Sequence, residues 1–280
     1  MRVVKGHGTE NDFVILPDLD ASIDLTPSLV RALCDRHSGI GADGVLRVVR
    51  SENDREAKEM ALEAPFFMDY RNADGSVAEM CGNGVRVFMR YLQGAGLVDG
   101  SAAVATRGGI RRVVANVDGA YTVDMGHPLV LADRPVVTAA PLDPVPGIAV
   151  AMPNPHVVVF VAPDELDVLD LSRPPRVDPP EPAGQNVEFV VVTGPREITM
   201  RVHERGVGET RSCGTGICAA AVAVATGEGV GADGVPWQVS VPGGTCVVEW
   251  DEQSGVRLTG PAVLVAEIEL DEAWLRAAEQ

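Results

Sequence analysis

Lysine is almost missing from this 280-residue chain: Lys5 and Lys58 are its only two, and neither stands in a motif that suggests a Schiff base. No block of Lys or Arg could follow a phosphate backbone, and the net charge is −17, with 40 acidic residues against 23 basic ones. Nucleic acid is therefore not an expected partner. No window approaches 18 uninterrupted apolar residues, and the opening MRVVKGHGTENDF lacks an apolar core of signal-peptide length. The expectation is a cytoplasmic protein with no membrane partner. The five cysteines, Cys34, Cys81, Cys213, Cys218 and Cys246, include no C-x-x-C pair and no Cys/His cluster at zinc spacing. Neither a disulfide framework nor a metal site is expected.

What the chain does have is a motif written twice. NADGSVAEMCGNGVRVFMRYL surrounds Cys81, and ERGVGETRSCGTGICAAAVAVA surrounds Cys213. Each is a polar, glycine-bearing turn, then Cys-Gly-x-Gly, then an apolar run at helical spacing, so each cysteine sits where a helix begins. Nine residues upstream of them lie Asn72 and Glu204. A thiol at a helix N-terminus meets unpaired backbone N–H groups and the positive end of the macrodipole, which favour thiolate and bind anions. The duplication reaches further back, to Asn11-Asp12-Phe13-Val14 in the first half and Asn154-Pro155-His156-Val157 in the second. Two thiols supplied by two similar halves suit the inversion of a tetrahedral carbon, where a base removes a proton from one face and an acid delivers one to the other.

At 46% hydrophobic the chain can form two cores, and the duplication favours two domains. Apolar alternation and Val-rich runs predict strands at 12–16, 44–49, 112–117, 121–125, 148–151, 156–162, 187–193, 197–203, 237–241, 245–250 and 256–259. Helical patterns fall at 26–36, 82–95, 164–170, 214–229 and 271–279, which makes an α+β chain. Residues 50–64 read as a charged, mobile segment and 172–183 as a Pro/Asp-rich surface loop. Cys34, Cys218 and Cys246 read as small buried hydrophobes, and His7, His37, His127 and His203 as ordinary packed or surface histidines.

Six motifs in order resemble the diaminopimelate epimerase family: HGTENDFV (7–14), GIGADGV (39–45), NADGSVAEMCGNGVR (72–86), MPNPH (152–156), GQNVEFV (184–190) and ERGVGETRSCGTG (204–216). The resemblance implies a cofactor-independent epimerase that interconverts LL- and meso-2,6-diaminopimelate, in lysine and peptidoglycan precursor synthesis. It implies two pseudo-symmetric domains, each a mixed, barrel-like sheet wrapped around a central helix, with the active site in the cleft between them. The domains are placed at 1–124 plus 266–280, and at 125–265. A homodimer is the family's habit.

By the same resemblance Cys81 and Cys213 are the catalytic acid–bases, and His156 and Glu204 tune their pKa values. Gly82, Asn83, Gly214 and Thr215 would hold the α-carboxylate at the helix N-termini. Asn11, Asn72, Asn154, Asn186, Glu204 and Arg205 would complete the substrate contacts, with Arg205 as the fork for the distal carboxylate. Many members carry Gln where this chain has Gly44, which leaves that contact in question. Two other readings use the same residues. One is a racemase of proline, hydroxyproline or histidine on this fold, and the other is a thiol redox sensor that bridges Cys81 to Cys213.

Overall fold

The computed structural model describes residues 1–278. In chain order the elements are β1 (Arg2–Gly8), β2 (Asn11–Pro17), α1 (Pro27–Cys34), β3 (Gly44–Arg50), β4 (Phe66–Asn72), α2 (Gly82–Gly94), β5 (Ser101–Thr106), β6 (Gly109–Ala115), β7 (Tyr121–Gly126), β8 (Leu129–Val130), β9 (Val136–Thr138), β10 (Val145–Ala151) and β11 (Pro155–Phe160). They continue with α3 (Pro163–Val168), β12 (Arg176–Asp178), β13 (Asn186–Gly194), β14 (Glu197–Glu204), β15 (Gly208–Thr210), α4 (Gly214–Gly227), β16 (Trp237–Val241), β17 (Gly244–Asp251), β18 (Gly255–Gly260), β19 (Val263–Glu269) and α5 (Glu272–Ala278). The chain forms two compact units, one of Met1–Val123 with the segment from Pro261 onward, the other of Asp124–Gly260.

The first unit lays β19, β1, β2, β3, β4, β5, β6 and β7 side by side in that order. β2 and β3 run parallel, as do β4 and β5, and every other neighbouring pair is antiparallel. The second unit repeats this connectivity: β10–β11 antiparallel, β11–β13 parallel, β13–β14 antiparallel, β14–β16 parallel, then β16–β17 and β17–β18 antiparallel. In both, the long helix enters between the two strands of the second parallel pair, as a parallel connection requires. α2 packs on β1–β6 and β19, and α4 on β10, β11, β13, β14 and β16–β18. This is the mixed sheet around a central helix that the family resemblance implied, present twice.

The helices form for local reasons. α1 opens with Thr26 as N-cap, its hydroxyl accepting from Leu29 N at 3.2 Å, and with Pro27 in the first turn. α2 buries Val85, Val87, Phe88, Met89 and Leu92 while Arg90 stays exposed. α4 is buried from Gly214 to Ala225, because its run of Ala and Val has no polar face to turn outward.

Several sequence expectations need correction. The stretch 50–64 holds two single-turn 3₁₀ segments, and its Ala57 and Ala64 are packed against Phe67 and Ala105. Within 172–183, Arg176–Asp178 is a strand paired with β9. Strands β1, β4, β5 and β19 escaped the apolar count, as did the two- and three-residue strands β8, β9, β12 and β15. β1 is interrupted by Lys5, Gly6 and His7, β4 is buried on both faces where alternation was sought, and β5 is alanine-rich. Residue 279 of the expected C-terminal helix, and residues 279–280 of the expected N-domain tail, lie outside the described residues.

Candidate active site

Both cysteines of the duplicated motif are helix N-caps. Cys81 has φ −139° and ψ 119° and accepts from Gly84 N at 3.4 Å. Cys213 has φ −122° and ψ 114° and accepts from Gly216 N, also at 3.4 Å. Each sulfur occupies the place that a Ser or Asp oxygen normally takes at a helix start. Gly82-Asn83 and Gly214-Thr215 form the first turns, where backbone N–H groups lack partners within the helix.

Around Cys81 the side chains form one network. The thiol lies 3.6 Å from Asn11 Oδ1, which also accepts from Asn83 Nδ2 at 3.2 Å. Asn11 Nδ2 donates to Asp43 Oδ2 at 2.8 Å, so its amide nitrogen is held away from the thiol. Arg86, fully buried one turn into α2, donates through Nη2 to Asn83 Oδ1 at 2.9 Å and to Thr9 Oγ1 at 3.2 Å. Asp43 and Arg86 stand inside motifs the sequence offered, yet each reads there as an ordinary charged residue. Asn72, at the end of β4, donates to Ser76 Oγ at 3.0 Å.

Around Cys213 the environment is acidic. Its thiol donates to Glu204, which also accepts from Thr210 Oγ1. Thr215 Oγ1 is 3.5 Å from the sulfur, and Asn186 Nδ2 approaches it at 4.0 Å. Asn186 Oδ1 accepts from the backbone N of Arg205 at 2.9 Å. The Arg205 guanidinium is exposed and donates through Nη1 to the carbonyls of Ala183 and Gly184, so most of its donors face outward. Burial pushes the Cys213 thiol well above the ordinary thiol range, and the charges of Glu204 and Glu188 push it further. Burial likewise raises Glu204; hydrogen bonds from Thr210 and Cys213 oppose the rise, and Glu188 adds to it.

Glu188 is the residue that sequence reasoning missed. It is fully buried, and its Oε1 lies 2.7 Å from His156 Nδ1, while His156 Nε2 is 3.1 Å from Asn154 Oδ1. A lone acid in the apolar run of β13, NVEFVVV, was the available signal. The ladders show what it replaces. Phe13 pairs with Gly44 and Gly44 with Asn72 in the first unit; His156 pairs with Asn186 in the second, where Val187–His203 sets Asn186 across from Glu204. Two residues along, Leu46 of the first unit therefore corresponds to Glu188 of the second. The first unit presents Phe13 and Leu46 where the second presents an imidazole and a carboxylate.

Gly44 is explained by the same ladder. A Cβ there would sit 2.5 Å from Arg71 O and 2.7 Å from Tyr70 Cε2, so a longer side chain would require the Arg71 backbone to shift. Cys34, Cys218 and Cys246 are buried as expected; burial pushes the Cys34 thiol up to about 12. His203 is also buried, which lowers its pKa.

The duplicated sheet-and-helix unit with a cysteine at each helix start defines a two-thiol protein of the racemase and epimerase fold. Solved structures share that fold: a probable proline racemase from Agrobacterium radiobacter aligns with TM-score 0.69 at 15% identity over 97% of this chain and 93% of that one. A hydroxyproline epimerase from Agrobacterium vitis aligns at 0.66 and 14%, over 100% and 98%. Sequence narrows the class. The diaminopimelate epimerase profile matches residues 3–131 and 148–265. The diaminopimelate epimerase of Streptomyces coelicolor is 56% identical over 97% of this chain and 96% of its own length. That of Mycolicibacterium smegmatis is 46% identical over 99% of both. The chain belongs to the diaminopimelate epimerase family.

Proposed function

We propose that this protein interconverts LL-2,6-diaminopimelate and meso-2,6-diaminopimelate by two-base proton transfer at the α-carbon, and so serves lysine and peptidoglycan precursor synthesis in the cytoplasm. The observation that carries the reading is the pair of cysteine N-caps at equivalent places in two repeated units, in a chain that belongs to this family. One sulfur, as thiolate, takes the α-proton. The carbanion's charge spreads onto the α-carboxylate, which the N–H groups of Gly82-Asn83 and Gly214-Thr215 stabilise. The other sulfur, as thiol, gives its proton to the opposite face, and the two protonation states are then exchanged. We take Cys213 as the thiol at rest, because it is enclosed with Glu204 and Glu188 beside it.

Asn11, Asn72, Asn154, Asn186 and Arg205 are read as substrate contacts, with Arg205 on the distal carboxylate and His156 and Glu204 tuning the thiols. The outward-facing donors of Arg205 support its part. In this reading the two compact units are the two catalytic halves, and the active form is a homodimer. The fold alone also accommodates racemases of proline or hydroxyproline, but a substrate with one amino-acid head would leave the distal polar set unpaired, at about 1–3 kcal/mol per buried group. The deciding experiment incubates reduced protein with LL-diaminopimelate in D₂O. Meso product carrying one deuterium at the inverted carbon is expected. Product without deuterium, or no product, would remove the two-base assignment.

A further inference from the structure

Glu188, His156 and Asn154 form a relay with one hydrogen-bonding direction. Both ring nitrogens of His156 face oxygen atoms: Nδ1 faces Glu188 Oε1 at 2.7 Å, and Nε2 faces Asn154 Oδ1 at 3.1 Å. An amide oxygen can only accept, so Nε2 must carry a proton. An ionised carboxylate can also only accept, so Nδ1 carries one too unless Glu188 itself is protonated and donates. Both side chains are fully enclosed, and Glu188 Oε2 has no hydrogen-bond partner among the described residues, so no second protein donor relieves the pair.

The consequence falls on Asn154. Its amide oxygen is taken by His156, and its amide nitrogen makes no protein hydrogen bond among the described residues. Asn154 is half-buried, so those N–H donors face accessible space. In the other unit the residue at the corresponding place, Asn11, is turned the opposite way: Nδ2 is taken by Asp43, and Oδ1 is the atom directed toward Cys81 and Asn83. The repeated asparagines thus present opposite polarity, an acceptor from one unit and donors from the other.

We propose that Glu188 is a positioning residue that, through His156, fixes Asn154 with its amide donors toward the substrate, so that Asn154 recognises a carboxylate and not an ammonium group. The proposal rests on the reading of Asn154 as a substrate contact. It assigns what the family resemblance leaves open, namely which end of the amide is offered and what holds it. Leu46, the first unit's counterpart of Glu188, could not do this, which is why only one unit has the relay.

Two measurements decide it. The first is ¹⁵N NMR of the His156 imidazole in the wild-type, substrate-free protein at neutral pH, with His156→Gln used to assign the signal. A protonated Nε2 is expected. An unprotonated Nε2 with a single proton on Nδ1 would overturn the relay, because Asn154 would then have to present its nitrogen to the ring. This readout does not need the protein to turn over diaminopimelate, so it stands even if the functional reading fails. The second is a double-mutant cycle on epimerisation with Glu188→Gln and Asn154→Ala. An amide in place of the carboxylate keeps the shape but can hydrogen-bond in either direction, so Glu188→Gln should raise KM for diaminopimelate about tenfold, as for loss of one well-placed hydrogen bond. If Glu188 acts through Asn154, adding Glu188→Gln to Asn154→Ala should change KM less than about twofold. Fully additive effects would reduce Glu188 to a packing role and overturn the proposal.

Discussion

Gly216, on the first turn of α4, lies against the Glu188 carboxylate so closely that a Cβ added to it would stand 2.6 Å from Glu188 Oε1. That oxygen is not the loose end of a flexible chain, since it is bonded to buried His156. The second glycine of Cys-Gly-x-Gly is thus a packing requirement as well as a helix start.

Gly216→Ala should therefore cost about 1–3 kcal/mol, the usual range for overpacking a filled core. In the first unit the corresponding Gly84 meets Leu46 Cδ2 at 3.3 Å, a tight contact with an apolar group that can shift. Gly84→Ala should cost less, under about 1 kcal/mol, because the leucine can repack. Urea denaturation of the two variants makes the comparison. Equal losses, or a larger loss at Gly84, would contradict the account of Glu188 as a fixed obstacle.

Replacement of either helix-capping sulfur, Cys81 or Cys213, tests the proposed two-base mechanism. Cys81→Ala and Cys213→Ala should each lower kcat for epimerisation by at least about 10²–10⁴, the scale of a lost acid–base group. A variant retaining about a tenth of wild-type kcat would show that one thiol suffices. Cys218→Ala, further along the same helix and past its first turn, should leave kcat within about twofold, since its thiol lies beyond the unpaired N–H groups.

The cluster behind Asn11 predicts a pH dependence of stability. Burial would raise the Asp12 pKa, but hydrogen bonds from Arg36 at 2.8 and 3.0 Å and from Lys5 at 2.6 Å overcome it and bring the group from the ordinary 3.8 to about 2. A depressed folded pKa gives stability that is present above the unfolded value and lost as pH falls through the folded one. With neighbouring Asp43 raised by burial and by the Asp12 charge, and with Arg36 largely exposed, the net contribution is about 1–2 kcal/mol. Asp12→Asn should lose that amount at pH 7, and the difference from wild type should close between about pH 4 and pH 2. Denaturation curves across that range would refute the assignment if the gap were constant.

Substrate choice tests the proposed distal site. Lysine lacks the far carboxylate, so the exposed Arg205 fork would have nothing to bind, and binding energy that positions the α-carbon would be lost. The ratio kcat/KM for lysine should fall below that for diaminopimelate by at least about 10⁴, and Arg205→Ala should narrow the gap by slowing diaminopimelate. Side-by-side racemisation assays decide. Comparable rates with lysine or proline would sink the substrate assignment and leave the two thiols in place.

The sequence by itself determined the duplication, the two cysteines at helix starts and the family, because these rest on short-range patterns: a glycine-bearing turn, a motif, an apolar run at helical spacing. It also determined that α4 is buried all round, since ICAAAVAVA offers no polar face. Only the tertiary structure decided how the two halves differ. Leu46 and Glu188, or Phe13 and His156, become counterparts through strand register, which pairs residues about 30 apart and is invisible to local spacing. The same register brings Arg71 and Tyr70 close against Gly44. A glutamate in an apolar strand looks like an irregularity in one dimension. In three dimensions its burial forces it to find a hydrogen-bond partner, and His156 is the one within reach.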